Sequence, residues 1–168
     1  MQPEPEVRQL NINDVSQYKA LRLLGLKIAP AAFGGDYSEA LEKPDTSWHE
    51  ALAGQRVHIG AFVDDTLVGM ANYDRLPGSK LEHRAFVYGV IVHPDHAGKN
   101  IGLRVLNALA DHAEQVGITQ FHLGVGAHNE PAKRLYEKAG YETYGHEPAA
   151  IRLPDRDIDE ILMIKFLR

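Results

Sequence analysis

Apolar residues recur along this chain with two different periods, and the change of period divides it. Val15, Tyr18, Leu21, Leu24 and Ile28 are three or four residues apart, which predicts a helix over Asn13–Lys27 with one apolar face. Pro30 stops it. A second helical region follows in AAFGGDYSEALEKPDTSWHEAL, broken by Gly34–Gly35 and Pro44. Val7–Ile12 reads as a first strand. From Arg56 onward the period shortens. Arg56–Val63 and Thr66–Tyr73 are strand-like runs around Asp64–Asp65, which reads as a hairpin turn. Phe86–Val92 is a third strand.

Helical spacing then returns. Val105, Leu106, Leu109, Ala113 and Val116 share one side of a helix over Ile101–Val116, and Gly117 ends it. Thr119–Val125 is a further strand. Asn129 can cap a helix that carries Pro131 in its first turn and ends at Gly140. Tyr141–Tyr144 and Glu160–Phe166 read as closing strands. Helices first, hairpins next, then helices interleaved with strands predict an α/β layer structure with a mostly antiparallel sheet.

Composition narrows the function without naming it. The 168 residues, 44% hydrophobic and 24% charged, fit one soluble domain spanning 1–168. No apolar run is long enough to span a bilayer. The start MQPEPEVRQL lacks the basic and apolar segments of a secretory signal, so a cytoplasmic location is the expectation. There is no cysteine, which excludes disulfides, thiolate metal sites and a cysteine nucleophile. A net charge of −5 speaks against nucleic acid as a partner. No HExxH or Cys/His cluster surrounds His93 and His96, so no metal is expected.

Candidate chemistry concentrates in Val90–Gly102, VIVHPDHAGKNIG. A strand meets a proline, then a loop with glycines, then a helix. Free amides and the dipole at a helix N-terminus can bind an anion. Neither the Walker spacing nor the dinucleotide-binding glycine spacing is present, so the alternatives at this point are a phosphate site or a plain connecting turn.

The same stretch resembles the acetyl-CoA motif of the GCN5-related N-acetyltransferase (GNAT) superfamily. The six signature positions fall on Ala97–Gly102. Ala97 stands where Arg or Gln is usual and Asn100 where Gly is usual, while Gly102 is kept. A second segment, Asn129-Glu-Pro-Ala-Lys-Arg-Leu-Tyr136-Glu-Lys-Ala-Gly-Tyr141, is similar to the superfamily's N-x-x-A-x-x-L-Y-E-K-x-G-F/Y pattern. Tyr18–Gly35 and Tyr144–Pro148 also resemble one bacterial branch. The likeness is tight from Tyr88 to Tyr144.

The resemblance implies a three-layer α/β/α fold whose mixed sheet splays at the cofactor site. It implies a transferase moving an acetyl group from acetyl-CoA to a primary amine, by direct attack in a ternary complex. Val90, Ile91 and Val92 would hold the pantetheine arm through main-chain groups. Amides of Ala97, Gly98, Lys99, Asn100, Ile101 and Gly102 would hold the pyrophosphate, with Lys99 adding charge and Asn100 keeping a left-handed turn. Tyr136 would be the general acid for the departing thiolate, although it also lies on an apolar helix face with Ala132, Leu135 and Ala139. Asn129 would cap its helix and touch the cofactor. The position where some members carry a basic Glu falls on Phe86, so Glu82 and His83 are the nearest candidates for the base. Tyr88, on the same strand face as Phe86, would line the acceptor pocket or simply pack. The acidic run Asp155, Asp157, Asp159 and Glu160 reads as a solvated hairpin loop, with an acidic rim that attracts an amine as the alternative. A small-molecule amine is the expected acceptor, with a protein N-terminus or lysine as the rival. A non-catalytic CoA-binding module is the other rival, and a homodimer is compatible with all of these.

Overall fold

The computed structural model describes residues 4–168. Seven strands form one open sheet in the order β1-β2-β3-β4-β5-β7-β6. They are β1 (Glu6–Gln9), β2 (Val57–Val63), β3 (Thr66–Arg75), β4 (Arg84–Val92), β5 (Gln120–Gly126), β6 (Glu142–Arg152) and β7 (Asp157–Phe166). All neighbours are antiparallel except β4 and β5. That parallel pair needs a crossover, supplied by α4 (Ile101–Gln115). The other helices are α1 (Val15–Ile28), α2 (Tyr37–Leu41), α3 (Asp45–Ala53) and α5 (Glu130–Lys138).

Alternation along the strands gives the sheet two buried faces. On one face Val68, Ala71, Tyr73, Ala85 and Phe121 pack under Val105, Leu106 and Leu109 of α4. On the other Leu67, Met70 and Ile91 pack under Tyr18, Leu21 and Leu26 of α1, with Trp48 and Leu52 of α3 beside them. The result is the expected three layers with a mixed central sheet. A Cβ at Gly25 would sit 2.7 Å from Ile91 Cδ1, so glycine brings α1 close to β4. Among the described residues no helix is long and apolar enough to cross a membrane.

Several expected boundaries move. β1 is shorter than Val7–Ile12, because Asn11 accepts the Asn13 amide and starts a tight turn instead of continuing the strand. Asp14, in the same turn, takes both Arg8 guanidinium nitrogens at 2.8 and 2.9 Å. The Asp64–Asp65 turn forms as expected, both residues holding positive φ as a type I′ hairpin turn requires. The closing strands are longer than predicted, since β6 and β7 run together around a bulge between Glu147 and Ile151. Asp157, Asp159 and Glu160 therefore lie on a strand, not in the solvated loop expected of them.

His58 of β2 is 3% exposed, its Nε2 3.2 Å from the Ala51 carbonyl and its ring edge-on to Tyr18 at 5.1 Å. Burial first, and the Arg56 charge second, lower its pKa to about 4. The unfolded chain takes up this proton near pH 6.5, whereas the folded chain resists it until about 4. The stability from keeping His58 neutral is therefore whole above about pH 6.5 and is lost as pH falls toward 4, up to roughly 3 kcal/mol. Denaturant unfolding at a series of pH values should show this slope, and His58→Gln should flatten it.

Candidate active site

The site begins where β4 and β5 part. They pair only from Arg84↔Gln120 to Phe86↔His122. Beyond that, β5 stays with β7 as far as Gly126, and β4 stays with β3. The His93 amide donates to the Val68 carbonyl at 2.8 Å. Alternation then turns the main-chain groups of Val92 the other way, into the gap. Gly89 has φ +57 and forms a bulge in β4 opposite Ala71.

The loop after β4 ends at the opening of α4. Gly98 has φ +75 and Asn100 sits in the left-handed region at φ 58, ψ 16. Asn tolerates that region better than other residues with a Cβ, so the turn keeps its shape at the position where glycine was expected. The first helical bond runs from the Arg104 amide to the Asn100 carbonyl at 3.1 Å. No described residue accepts from the amides of Gly98 through Leu103, and no side chain caps the helix. A Cβ on Gly102 would lie 2.9 Å from Leu135 Cδ2, so glycine lets α5 approach the mouth of α4.

Two cavities meet here. The larger, about 840 Å³, is walled by Val92, Gly98, Asn100, Gly102 and Leu135 among others. The smaller, about 490 Å³, lies over the gap beneath Phe33–Gly35 and the β6–β7 hairpin. Val90, Asn129, Ala132 and Tyr136 line both. Asn129 caps α5, its side chain accepting the Ala132 amide at 3.2 Å. Tyr136 is 8% exposed and packs edge-on to Tyr141 at 5.7 Å. Burial, and then the nearby Glu160 charge, push its phenol well above the usual tyrosine range, so it stays protonated.

Glu160, which the sequence places in an acidic run and not among the candidates for the base, lies at the site. It pairs across the ladder with Glu147, and both line the smaller cavity. Burial first, then Glu147, raise its pKa. Its carboxylate lies over Gly124 of β5, where any Cβ would overlap it. The available signal was alternation. Ile158, Glu160, Leu162 and Ile164 share one strand face, so Glu160 interrupts an apolar row. Arg22 was missed for a similar reason, since it falls between Tyr18 and Leu26 on the buried stripe of α1.

Other expected residues fall in different places. Glu82 and His83 are exposed in the turn before β4, outside both cavities. Strand rise puts His83 roughly 23 Å from Val90, so both residues lie away from the gap where the two cavities meet. The Ala97 amide is already used, donating to the Pro94 carbonyl at 3.1 Å, although Ala97 still lines the larger cavity. Ile91 faces away, its side chain buried under α1 and its main chain turned to β3. Ile101 offers only its amide, its side chain being in the core. Lys99 lines a separate cavity of about 340 Å³ with Glu4, His96 and Arg104. Tyr88 lines the smaller main cavity, stacked on Phe86 at 5.7 Å. Among the described residues no group of three or more His, Asp or Glu side chains is placed to hold a metal ion.

Comparison with known proteins agrees with this geometry. An uncharacterized protein of Mycobacterium leprae is 36% identical over 106 residues, 62% of this chain and 28% of that one. The L-amino acid N-acyltransferase MnaT of Escherichia coli is 27% identical over 104 residues, 61% of this chain and 60% of that one. These matches span between about a quarter and two thirds of the curated relatives' own length. The fold of yncA from Salmonella typhimurium, solved with its cofactor acetyl-CoA, superposes with a TM-score of 0.82 at 20% identity, covering 99% of this chain and 95% of that one. Residues 26–141 match the acetyltransferase (GNAT) family, and a match over that much of the chain, on a sheet parted in this way, makes this protein a member of the GNAT acetyltransferase family.

Proposed function

We propose that this protein moves an acetyl group from acetyl-CoA to the primary amine of a small molecule, by direct attack in a ternary complex. One observation carries the reading: the Tyr136 side chain stands in the wall shared by two cavities, one of which is edged by unpaired amides. Those amides, from Gly98 to Leu103, suit a pyrophosphate. The free edge of β4 at Val90 and Val92 suits an amide-bearing arm that hydrogen-bonds as a strand would. The bound acetyl-CoA would supply the activated acetyl thioester.

The residues then divide the proton work. Glu160, a carboxylate made more basic by burial and by the Glu147 charge, accepts a proton from the acceptor ammonium. The freed lone pair forms the C–N bond as the C–S bond breaks. Tyr136 gives its proton to the departing sulfur. The ammonium loses two protons in all: one leaves to solvent by way of Glu160, and the other balances the one given by Tyr136. Main-chain N–H groups at the splay would stabilise charge growing on the carbonyl oxygen. With no cysteine in the chain, a cysteinyl-acetyl route is closed. Phe33–Gly35 and Glu147–Ile151 both border the acceptor cavity, which favours a small acceptor over a protein segment.

Thiol release with a panel of amines tests the reading. Tyr136→Phe should lower kcat about 100-fold, the scale of a lost general acid, with acetyl-CoA affinity within about threefold. Glu160→Gln should lower kcat/KM at least about tenfold and remove the acidic limb of its pH profile. In calorimetry, Asn100→Val should weaken CoA binding about tenfold, because a β-branched residue resists φ near +58°. Asn100→Gly should bind about as well as the parent. No measurable CoA binding at millimolar concentration would end the proposal.

A further inference from the structure

The acceptor cavity contains a cation that the acetyl-transfer scheme leaves unused. Arg22 projects from α1 and forms part of the cavity wall. Its Nη1 is fully enclosed, yet it bonds to no described residue, and no salt bridge reaches the side chain. The guanidinium lies over the Phe33 ring at 5.0 Å. Two glycines leave it room: a Cβ at Gly35 would lie 3.1 Å from Nη2, and one at Gly89 3.8 Å from Nη1. Arg56, the other arginine on this cavity, is already committed, its Nε 2.8 Å from Asp74 and its guanidinium over Tyr88 at 5.3 Å. An enclosed guanidinium N–H group with no acceptor is costly to leave so. A planar carboxylate is the anion whose geometry matches it in two parallel hydrogen bonds.

The rest of the cavity is polarised to match. α1 packs on β3 and β4, which places Arg22 on one side of the parted strands. Glu160 and Glu147 come from β7 and β6 on the other side. Gly89, beside the guanidinium, adjoins Val90, the strand residue that both cavities share. An anion held by Arg22 would therefore sit close to the reacting amine, not at the end of a long arm.

We propose that the acceptor is a free α-amino acid, its carboxylate held by Arg22 and its amine presented to Glu160 and Tyr136. The proposal deepens the acetyl-transfer reading and rests on it. The bonds that change are those already given, and the products are an N-acetyl amino acid and CoA. A peptide N-terminus carries an amide where the carboxylate would be, so it would leave Arg22 unmatched.

The test compares phenylalanine and methionine with their α-carboxamides and their decarboxylated amines, in both calorimetry with CoA present and transfer assays. The full-length protein should favour each amino acid at least about tenfold in kcat/KM over both counterparts that lack the carboxylate. Arg22→Gln should bring that ratio toward one, with Arg22→Lys restoring only part of it. The ratio within the unmodified protein decides the matter even if the variants fold poorly. Equal use of the acids, amides and amines overturns the proposal while the transferase reading stands. Carboxylate-dependent binding with no transfer supports the anion site and overturns the transferase reading. Preference for an amide over its acid, or no binding of any amino acid, overturns the proposal.

Discussion

Everything at this site depends on the parting of β4 from β5 after Phe86. A sheet interior normally satisfies every backbone donor and acceptor through its ladder. Here the facing edges of β4 and β5 both give up their ladder in the middle of a seven-stranded sheet, while β4 stays paired with β3 and β5 with β7. Water or a ligand must take the vacated positions. The parting also opens the space in which α5 carries Tyr136 and β7 carries Glu160 to neighbouring positions. Had the two strands stayed zipped to their ends, the two cavities would have no common wall.

Absent side chains shape this opening as much as those present. Gly102 brings α5 against the mouth of α4, Gly124 leaves the volume that the Glu160 carboxylate occupies, and Gly89 lets β4 bulge toward Arg22. Gly102 and Gly124 lie in regular backbone, where glycine costs about 0.5–1 kcal/mol relative to alanine, whereas Gly89 holds a positive φ that glycine adopts without strain. All three are consistent with backbone set out for close approach and not for stability alone.

The helices were legible because they depend on local rules: period, proline and glycine placed α1, α4 and α5. The three layers and the role of the mouth of α4 came from the motif resemblance, and the chemistry of Asn100 suits the left-handed turn that the resemblance requires. The acceptor side was not legible, because it is assembled across the sheet. Glu82 and His83 adjoin β4 in sequence, yet a strand carries its ends far apart, so adjacency pointed to the end away from the gap. Glu160 reaches the gap only because β7 inserts between β5 and β6. That topology is invisible to a local pattern. The Ala97 amide was misjudged at finer scale: the Pro94–His96 turn consumes it, and only a three-dimensional trace shows which loop amides remain free.

The electrostatics of the smaller cavity follow from the same assembly. Burial opposes charge on Glu160 and on Arg22 alike. No hydrogen bond or ion pair joins them among the described residues, so neither relieves the other at contact range. Glu147 adds repulsion to one end, and Arg56 adds it to the other. A cavity held in this state has more to gain from a molecule carrying both charges than from one carrying either alone. An ammonium relieves the acidic side, an anion relieves the basic side, and a zwitterion does both with one loss of translational freedom. The same polarity fixes direction, because a reversed zwitterion would set like charges together at both ends. In the proposed reaction, orientation of the nucleophile is then a property of the cavity's charge, imposed before Tyr136 or Glu160 moves a proton.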